Sequence, residues 1–274
     1  MRGQIVKIVS NDYFVSSKNE EYICKARGKF RKDNIVPKVG DYVIFNPNDK
    51  VIEKIEKRKN ELDRPYVSNI DVAFIITSLK NPDFSLNLLD KLLVICEIND
   101  ILPVICLTKK DLLKKSEFKE IKKIIRYYKK IGYKVVFNDQ IFRIKRFFKN
   151  KTTVFTGQTG AGKSTLLNKI DKTLNFETNE ISMALGRGKH TTRYVTLVNI
   201  GNGKVLDTPG FSMIDLSKYN NEEIKNAFIE FKKYNCSYKD CMHIKEKNCK
   251  VKEEIGKDIL KSRYENYKKF IEKR

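Results

Sequence analysis

GQTGAGKST occupies residues 157–165, and from Gly157 to Ser164 it fits G-x-x-x-x-G-K-[ST] without exception. The apolar run TTVFTG (152–157) leads into it and the helical pattern STLLNKI (164–170) leads out. A strand, a glycine-rich loop and a helix in that order are what a phosphate cradle needs. The glycines let the backbone curl until several N–H groups point at one place, and the helix N-terminus adds its dipole. Lys163 is placed to reach the β- and γ-phosphates of a nucleotide, and Ser164 to bring its hydroxyl to Mg²⁺. Gln158, Thr159, Gly160, Ala161, Gly162 and Thr165 complete the loop as candidate phosphate contacts.

Downstream, DTPG (207–210) ends the apolar run KVLDT (204–208). Asp207 there can hold Mg²⁺, directly or through water, and Gly210 lets a backbone N–H approach the γ-phosphate. Between loop and DTPG lies ALGRGKHTTRYV (184–195), in which either Thr191 or Thr192 is placed to close over Mg²⁺. His190 suits two tasks, orienting water or contacting an RNA phosphate. Phe211 follows DTPG, and a phenyl ring cannot polarise water. Unassisted hydrolysis is therefore expected on the order of 10⁻⁴–10⁻² s⁻¹.

Upstream, TKKD (108–111) follows the apolar strand pattern ILPVICL (101–107). The Asp111 carboxylate can accept two hydrogen bonds from guanine, from its ring N–H and its exocyclic amine. Adenine offers neither and would leave a buried carboxylate unsatisfied. The Lys109 stem can lie over the base, Thr108 can tie this loop to the phosphate loop, and Lys110 completes the motif. A guanine reader ahead of the phosphate loop reverses the usual order of a GTPase, which is a circular permutation. DTPG then runs straight into the C-terminal segment, so loss of the γ-phosphate can be transmitted there.

YNCSYKDCMHIKEKNCK near the C-terminus holds Cys236, Cys241, His243 and Cys249. Three thiolates and one imidazole suit a closed, tetrahedral structural zinc site. Cys24, Cys96 and Cys106 fall in strand or helix runs and read as small buried apolar residues.

The remaining pattern sets the architecture. QIVKIV, YFVSS, EYICKA, DYVIFN and KVIEKI are five short strand candidates within residues 1–63, which predicts a small OB-type barrel. ELDRPY (61–66) reads as the linker out of it. From DVAFIIT (71–77) on, apolar strands alternate with helices such as SLNLLDKLLVICEIN (85–99), which predicts a parallel α/β sheet. VTLVNI (195–200) and KVLDT read as a hairpin through GNG (201–203), and helices are expected around the Cys/His cluster. The expected division is a barrel over 1–63, a permuted nucleotide-binding domain over 64–215 and a zinc-binding helical domain over 216–274.

The 274 residues carry a formal net charge of +22, which argues for an anionic partner, nucleic acid first. From Lys122 to Lys149 there are ten Lys/Arg and one acid, Asp139, with aromatics interleaved. RNA stacking and a solvated face of an amphipathic helix both fit that stripe. No stretch approaches the roughly 18–20 apolar residues of a membrane span, and MRGQIVKIVSNDY lacks the apolar core of a signal peptide. A cytoplasmic monomer with reduced thiols is the expectation.

Together these segments resemble the circularly permuted, ribosome-dependent GTPases of the RsgA family. The resemblance rests on the barrel with PKVGD (37–41), then TKKD, GQTGAGKST, GRGKHTTR, DTPGF and C-x₄-C-x-H-x₅-C. It implies GTP hydrolysis to GDP and phosphate, stimulated by the small ribosomal subunit. It also implies rRNA binding, a role in late maturation of that subunit, and contact with other assembly factors. One departure is that NDQ (138–140) stands where the family has a Ser-containing guanine-contacting motif. Two other classes stay open at this point. In a P-loop ATPase Asp111 is incidental, and an RNA-binding protein with a purely structural nucleotide shows no turnover.

Overall fold

The computed structural model describes residues 1–32, 35–63, 66–171, 195–207 and 215–272. In chain order the strands and helices begin with β1 (Arg2–Val9), β2 (Asp12–Ser17), β3 (Glu20–Ala26) and α1 (Gly28–Lys32). Next come β4 (Tyr42–Asn46), β5 (Val51–Ile55), β6 (Glu61–Asp63), β7 (Tyr66–Ser68) and β8 (Val72–Ser78). Then follow α2 (Leu86–Ile98), β9 (Leu102–Thr108), α3 (Lys115–Lys130), β10 (Lys134–Phe137), α4 (Ile141–Phe148) and β11 (Thr152–Gly157). The last elements are α5 (Lys163–Ile170), β12 (Thr196–Ile200), β13 (Gly203–Asp207), α6 (Asn221–Ala227), α7 (Lys250–Glu253) and α8 (Lys261–Glu272). Two compact units emerge, one of residues 1–74, 138–156 and 162–213, the other of residues 75–137, 157–161 and 214–274.

In the first unit β1 to β5 close on themselves. The order is β1-β2-β3-β5-β4, and β4 returns to pair with β1. β3 and β5 run parallel and the other neighbours antiparallel, giving the five-stranded Greek-key OB barrel. Ile5, Val15, Cys24, Val43, Phe45 and Ile52 alternate inward from successive strands and fill it at 0 % exposure. The PKVGD turn is built around Asp41. This carboxylate is wholly buried, bonded by Arg58 Nε at 2.8 Å, the Ser68 hydroxyl at 2.6 Å and the Lys38 amide at 2.7 Å. Gly40 has φ +99°, and a Cβ there would lie 2.2 Å from the Ser68 carbonyl oxygen. Glu61–Asp63 and Tyr66, within the stretch expected to be a linker, instead belong to an antiparallel pair of β6 and β7 that this Asp41 cluster ties down.

The same unit carries β11, β13 and β12 side by side. β11 and β13 are parallel, and β12 and β13 form the expected hairpin. β12 also pairs with barrel strand β1, Lys7 opposite Thr196, and the Lys204 ammonium donates to Gln4 Oε1 at 2.6 Å. Helices α4 and α5 pack on one another, with Ile144, Phe148, Leu166, Leu167 and Ile170 buried.

The second unit holds the end of β8 from Ile75, then β9 and β10 in sheet order, β9 and β10 parallel. Every residue of β8 is buried, as expected of a strand covered on both faces. A buried polar cluster organises this unit. Arg263 of α8, at 0 % exposure, donates to Asp90 Oδ1 of α2 at 2.7 Å and to Glu230 Oε1 at 2.8 Å. Tyr128 of α3 donates to Asp90 at 2.6 Å, Asn266 donates to it at 2.6 Å, and Tyr127 donates to Glu230 at 3.0 Å. Tyr127 and Tyr128, read from the basic stripe as possible stacking residues, are therefore internal hydrogen-bond donors. Among the described residues no helix is long and apolar enough to cross a membrane.

Candidate nucleotide and metal sites

Thr108 is the last residue of β9 and is 1 % exposed. Its hydroxyl donates to the carbonyl of Ala161 at 2.7 Å, which ties TKKD to the phosphate loop as its sequence position suggested. Lys109 follows in the left-handed region, φ 56° and ψ 34°, and the chain then makes a 3-10 turn over Lys110–Leu112. That reversal presents Asp111 in the first turn, exposed to solvent. The Lys110 ammonium sits 4.8 Å from the ring centre of Phe118 and 5.1 Å from that of Phe137. Those two rings hold the turn against α3 and the end of β10.

The phosphate loop begins where β11 ends. Gly157 has φ +130°, and a Cβ on it would lie 2.0 Å from the Ile76 carbonyl oxygen of β8. Only glycine fits at that strand crossing. The loop then tightens, with the Ala161 amide donating to the Gln158 carbonyl at 3.2 Å and Gly160 at φ +74°. Gly162, at φ +95°, caps α5, whose first two residues are Lys163 and Ser164. Thr159 and Thr165 are exposed, and Ser164 is buried at 6 % exposure. Burial pushes the Lys163 ammonium below the ordinary lysine value. An anion placed beside it would reverse that shift and hold it charged.

A strap that sequence reasoning passed over crosses both motifs. Residues 79–85 leave β8 and pass to α2, which Ser85 caps by accepting from the Leu88 amide at 3.3 Å. The Leu79 amide donates to the Thr108 carbonyl at 3.1 Å, and the Lys109 ammonium donates to the Asn81 carbonyl. Gln158 Nε2 donates to the Asp83 carbonyl at 3.0 Å. The available signal was the Asn-Pro-Asp cluster (81–83) at the carboxyl end of a buried parallel strand, where α/β sheets place their ligand loops. His190, Thr191, Thr192 and Gly210 lie outside the described residues, as does the side chain of Asp207, whose backbone ends β13.

Cys236, Cys241, His243 and Cys249 come together. Their ligand atoms all lie within 4.8 Å of one another. His243 Nδ1 is 3.6 Å from Cys236 Sγ, 3.4 Å from Cys241 Sγ and 3.3 Å from Cys249 Sγ, and Cys236 and Cys249 sulfurs are 3.7 Å apart. Tetrahedral bonds of about 2.3 Å to sulfur and about 2.0–2.1 Å to nitrogen put ligand atoms roughly 3.5–3.8 Å apart. The cluster therefore has the dimensions of an S₃N metal site. Burial pushes the Cys241 thiol up to about 12 and the His243 imidazole down. A bound cation would reverse the thiol shift, and a neutral imidazole is the ligating form. The Tyr264 hydroxyl donates to the His243 carbonyl at 2.6 Å, which fixes the loop from α8.

A glycine-rich loop leading into α5, tied by Thr108 to a TKKD turn that precedes it in the chain, is the arrangement of a circularly permuted P-loop GTPase. Comparison with known proteins agrees. The RsgA GTPase family profile matches residues 55–217 and the RsgA N-terminal domain profile matches residues 2–52. The chain is 45 % identical to the small ribosomal subunit biogenesis GTPase RsgA 2 of Oceanobacillus iheyensis, over 98 % of this chain and 96 % of that one. It is 46 % identical to RsgA 1 of Listeria monocytogenes, over 97 % and 95 %. Among solved structures, YjeQ from Thermotoga maritima superposes with a TM-score of 0.85 at 33 % identity, covering 99 % of this chain and 97 % of that one. YloQ, described as a circularly permuted GTPase, gives 0.80 at 37 % identity, covering 99 % and 94 %. The chain belongs to the RsgA family of GTPases, and its reaction is hydrolysis of GTP.

Proposed function

We propose that this GTPase binds the small ribosomal subunit in the cytoplasm and assists its late maturation. In this reading it hydrolyses GTP slowly alone and faster on the subunit. The observation that carries the nucleotide site is the Thr108–Ala161 hydrogen bond, which couples base reader and phosphate loop. The partner reading is supported by relatives named for small-subunit biogenesis that align over nearly the whole chain, and by the net charge of +22.

In this reading Asp111 accepts from guanine, Lys109 lies along the base and Thr108 sets their register. Backbone N–H groups of residues 157–165 cradle the phosphates, and Lys163 balances the charge that develops on the β–γ bridge. Ser164, with Asp207 and either Thr191 or Thr192, would hold Mg²⁺, which would supply neutralisation of phosphate charge. Gly210 brings a backbone donor to the γ-phosphate, and His190 either orients water or meets an RNA phosphate. Zinc held by Cys236, Cys241, His243 and Cys249 keeps the C-terminal knuckle folded. The domain division 1–63, 64–215 and 216–274 assigns the barrel and the zinc domain to rRNA and the middle domain to GTP. Hydrolysis then releases the protein, as a monomer, from the subunit and from neighbouring assembly factors.

The test is phosphate release from GTP with and without purified small ribosomal subunits at one salt concentration. A low basal rate that rises at least tens-fold with subunits is expected. An unchanged rate would separate the GTPase from this partner.

A further inference from the structure

Within the basic stripe at 122–149, α4 is where a large exposed ring stands among exposed cations. In α4 the inward side is Ile144 and Phe148, at 0 % and 1 % exposure. On the other side Phe142 is 79 % exposed, although α4 is amphipathic enough to have hidden it. Lys145 and Arg146 stand three and four residues on, and so share its face. Arg143, Lys145, Arg146 and Lys149 are exposed and form no ion pair among the described residues. From Ile141 to Lys151 there are five Lys/Arg and no acid. In α3, by contrast, Ile125 and Tyr128 face inward, and Lys123 and Lys130 pair with Glu120 and Asp258. Cations in the last turn of α4 suit its C-terminal dipole, but that accounts for no part of Phe142.

We propose that this face of α4 docks unpaired rRNA of the small subunit, with Phe142 stacking on a base and Lys145, Arg146 and Lys149 meeting consecutive phosphates. Every base has a π-face, so an exposed ring among exposed cations takes single-stranded RNA without reading its sequence. The charge selects a polyanion, and the ring selects one with splayed bases over a duplex. The proposal rests on the small-subunit reading above.

Equilibrium binding of purified small subunits, in a non-hydrolysable GTP analogue and across a salt series, is the experiment. Phe142→Ala should weaken binding about tenfold, from the loss of one stacked base, and Phe142→Trp should restore it. Lys145→Gln with Arg146→Gln should lower the slope of log affinity against log salt by about 1.4, roughly 0.7 per lost phosphate contact. All three proteins should keep wild-type melting and wild-type basal GTP hydrolysis, since none of these side chains is packed. Phe142→Ala binding within twofold of wild type, with wild type itself binding, overturns the docking face and leaves the partner standing. Wild-type protein that does not bind subunits overturns both. With a benzophenone-bearing residue at 142, cross-links to rRNA support the assignment, and cross-links confined to ribosomal proteins refute it.

Discussion

Replacing Arg263 by Met keeps most of the buried volume and removes one charge. Arg263 is the cation between two carboxylates that are themselves sealed, Asp90 at 0 % and Glu230 at 2 % exposure. It is held well above its ordinary pKa, against burial, by Glu230 and Asp90, and its guanidinium lies 4.4 Å from the Phe228 ring centre. After the substitution Asp90 keeps its bonds from Tyr128 and Asn266, and Glu230 keeps the one from Tyr127, but among the described residues neither has an ion-pair partner left. Stranding a buried partner in this way costs about 3–5 kcal/mol. At about 2–4 °C per kcal/mol for a chain of this size, the protein should melt about 6–20 °C lower. Differential scanning calorimetry at pH 7 reads this directly.

The deficit has a pH signature. Burial already pushes Asp90 up, and the substitution removes the Arg263 charge that opposes it. A carboxyl whose folded pKa lies above its unfolded value of about 4 binds protons in the folded state first. The penalty is therefore full at neutral pH and shrinks as pH falls towards the folded pKa. Asp90→Asn with Glu230→Gln in the Arg263→Met background should recover much of the loss at pH 7. A melting shift below about 2 °C for Arg263→Met, or a deficit that grows as the pH is lowered, would refute the reasoning.

Gly157→Ala should lower affinity for a fluorescent GDP analogue at least tenfold, because its Cβ would meet the Ile76 carbonyl at 2.0 Å; normal affinity would mean the strand end yields freely. Asp111→Asn should weaken GTP binding about 10–100-fold, from guanine donors left unmatched, and should shift preference towards xanthine nucleotides; equal GTP affinity would remove Asp111 as the base reader. Thr108→Val strands the Ala161 carbonyl and should weaken GDP binding through the phosphate loop by about 1–3 kcal/mol, read by calorimetric titration against wild type. Cys236→Ser should abolish stoichiometric zinc in elemental analysis and lower the melting of the C-terminal knuckle while GDP still binds; retained zinc would argue that Cys236 is no ligand.

How much was legible before folding differs from element to element. The phosphate loop and TKKD are contiguous motifs whose chemistry requires particular residues at fixed spacing, and the five barrel strands show the period-two pattern of a closed sheet. The four candidate metal ligands fall within fourteen residues, so chain connectivity alone nearly assembles them. Local spacing therefore determined the GTPase class, the permuted order and which four side chains cluster near the C-terminus.

What only the tertiary structure decided are relations between segments far apart in the chain. The Asp41 cluster draws on Arg58 and Ser68, and turned an expected linker into a hairpin. The strap at 79–85 meets Gln158 some seventy-five residues away. Arg263 finds Asp90 across 173 residues. The same holds for the aromatics of the basic stripe. Tyr128 and Phe142 look alike in a composition count, yet packing turned one into a buried donor to Asp90 and left the other at the surface. Sequence periodicity says which face of a helix is apolar, but what that face meets is set by elements that arrive from elsewhere in the chain.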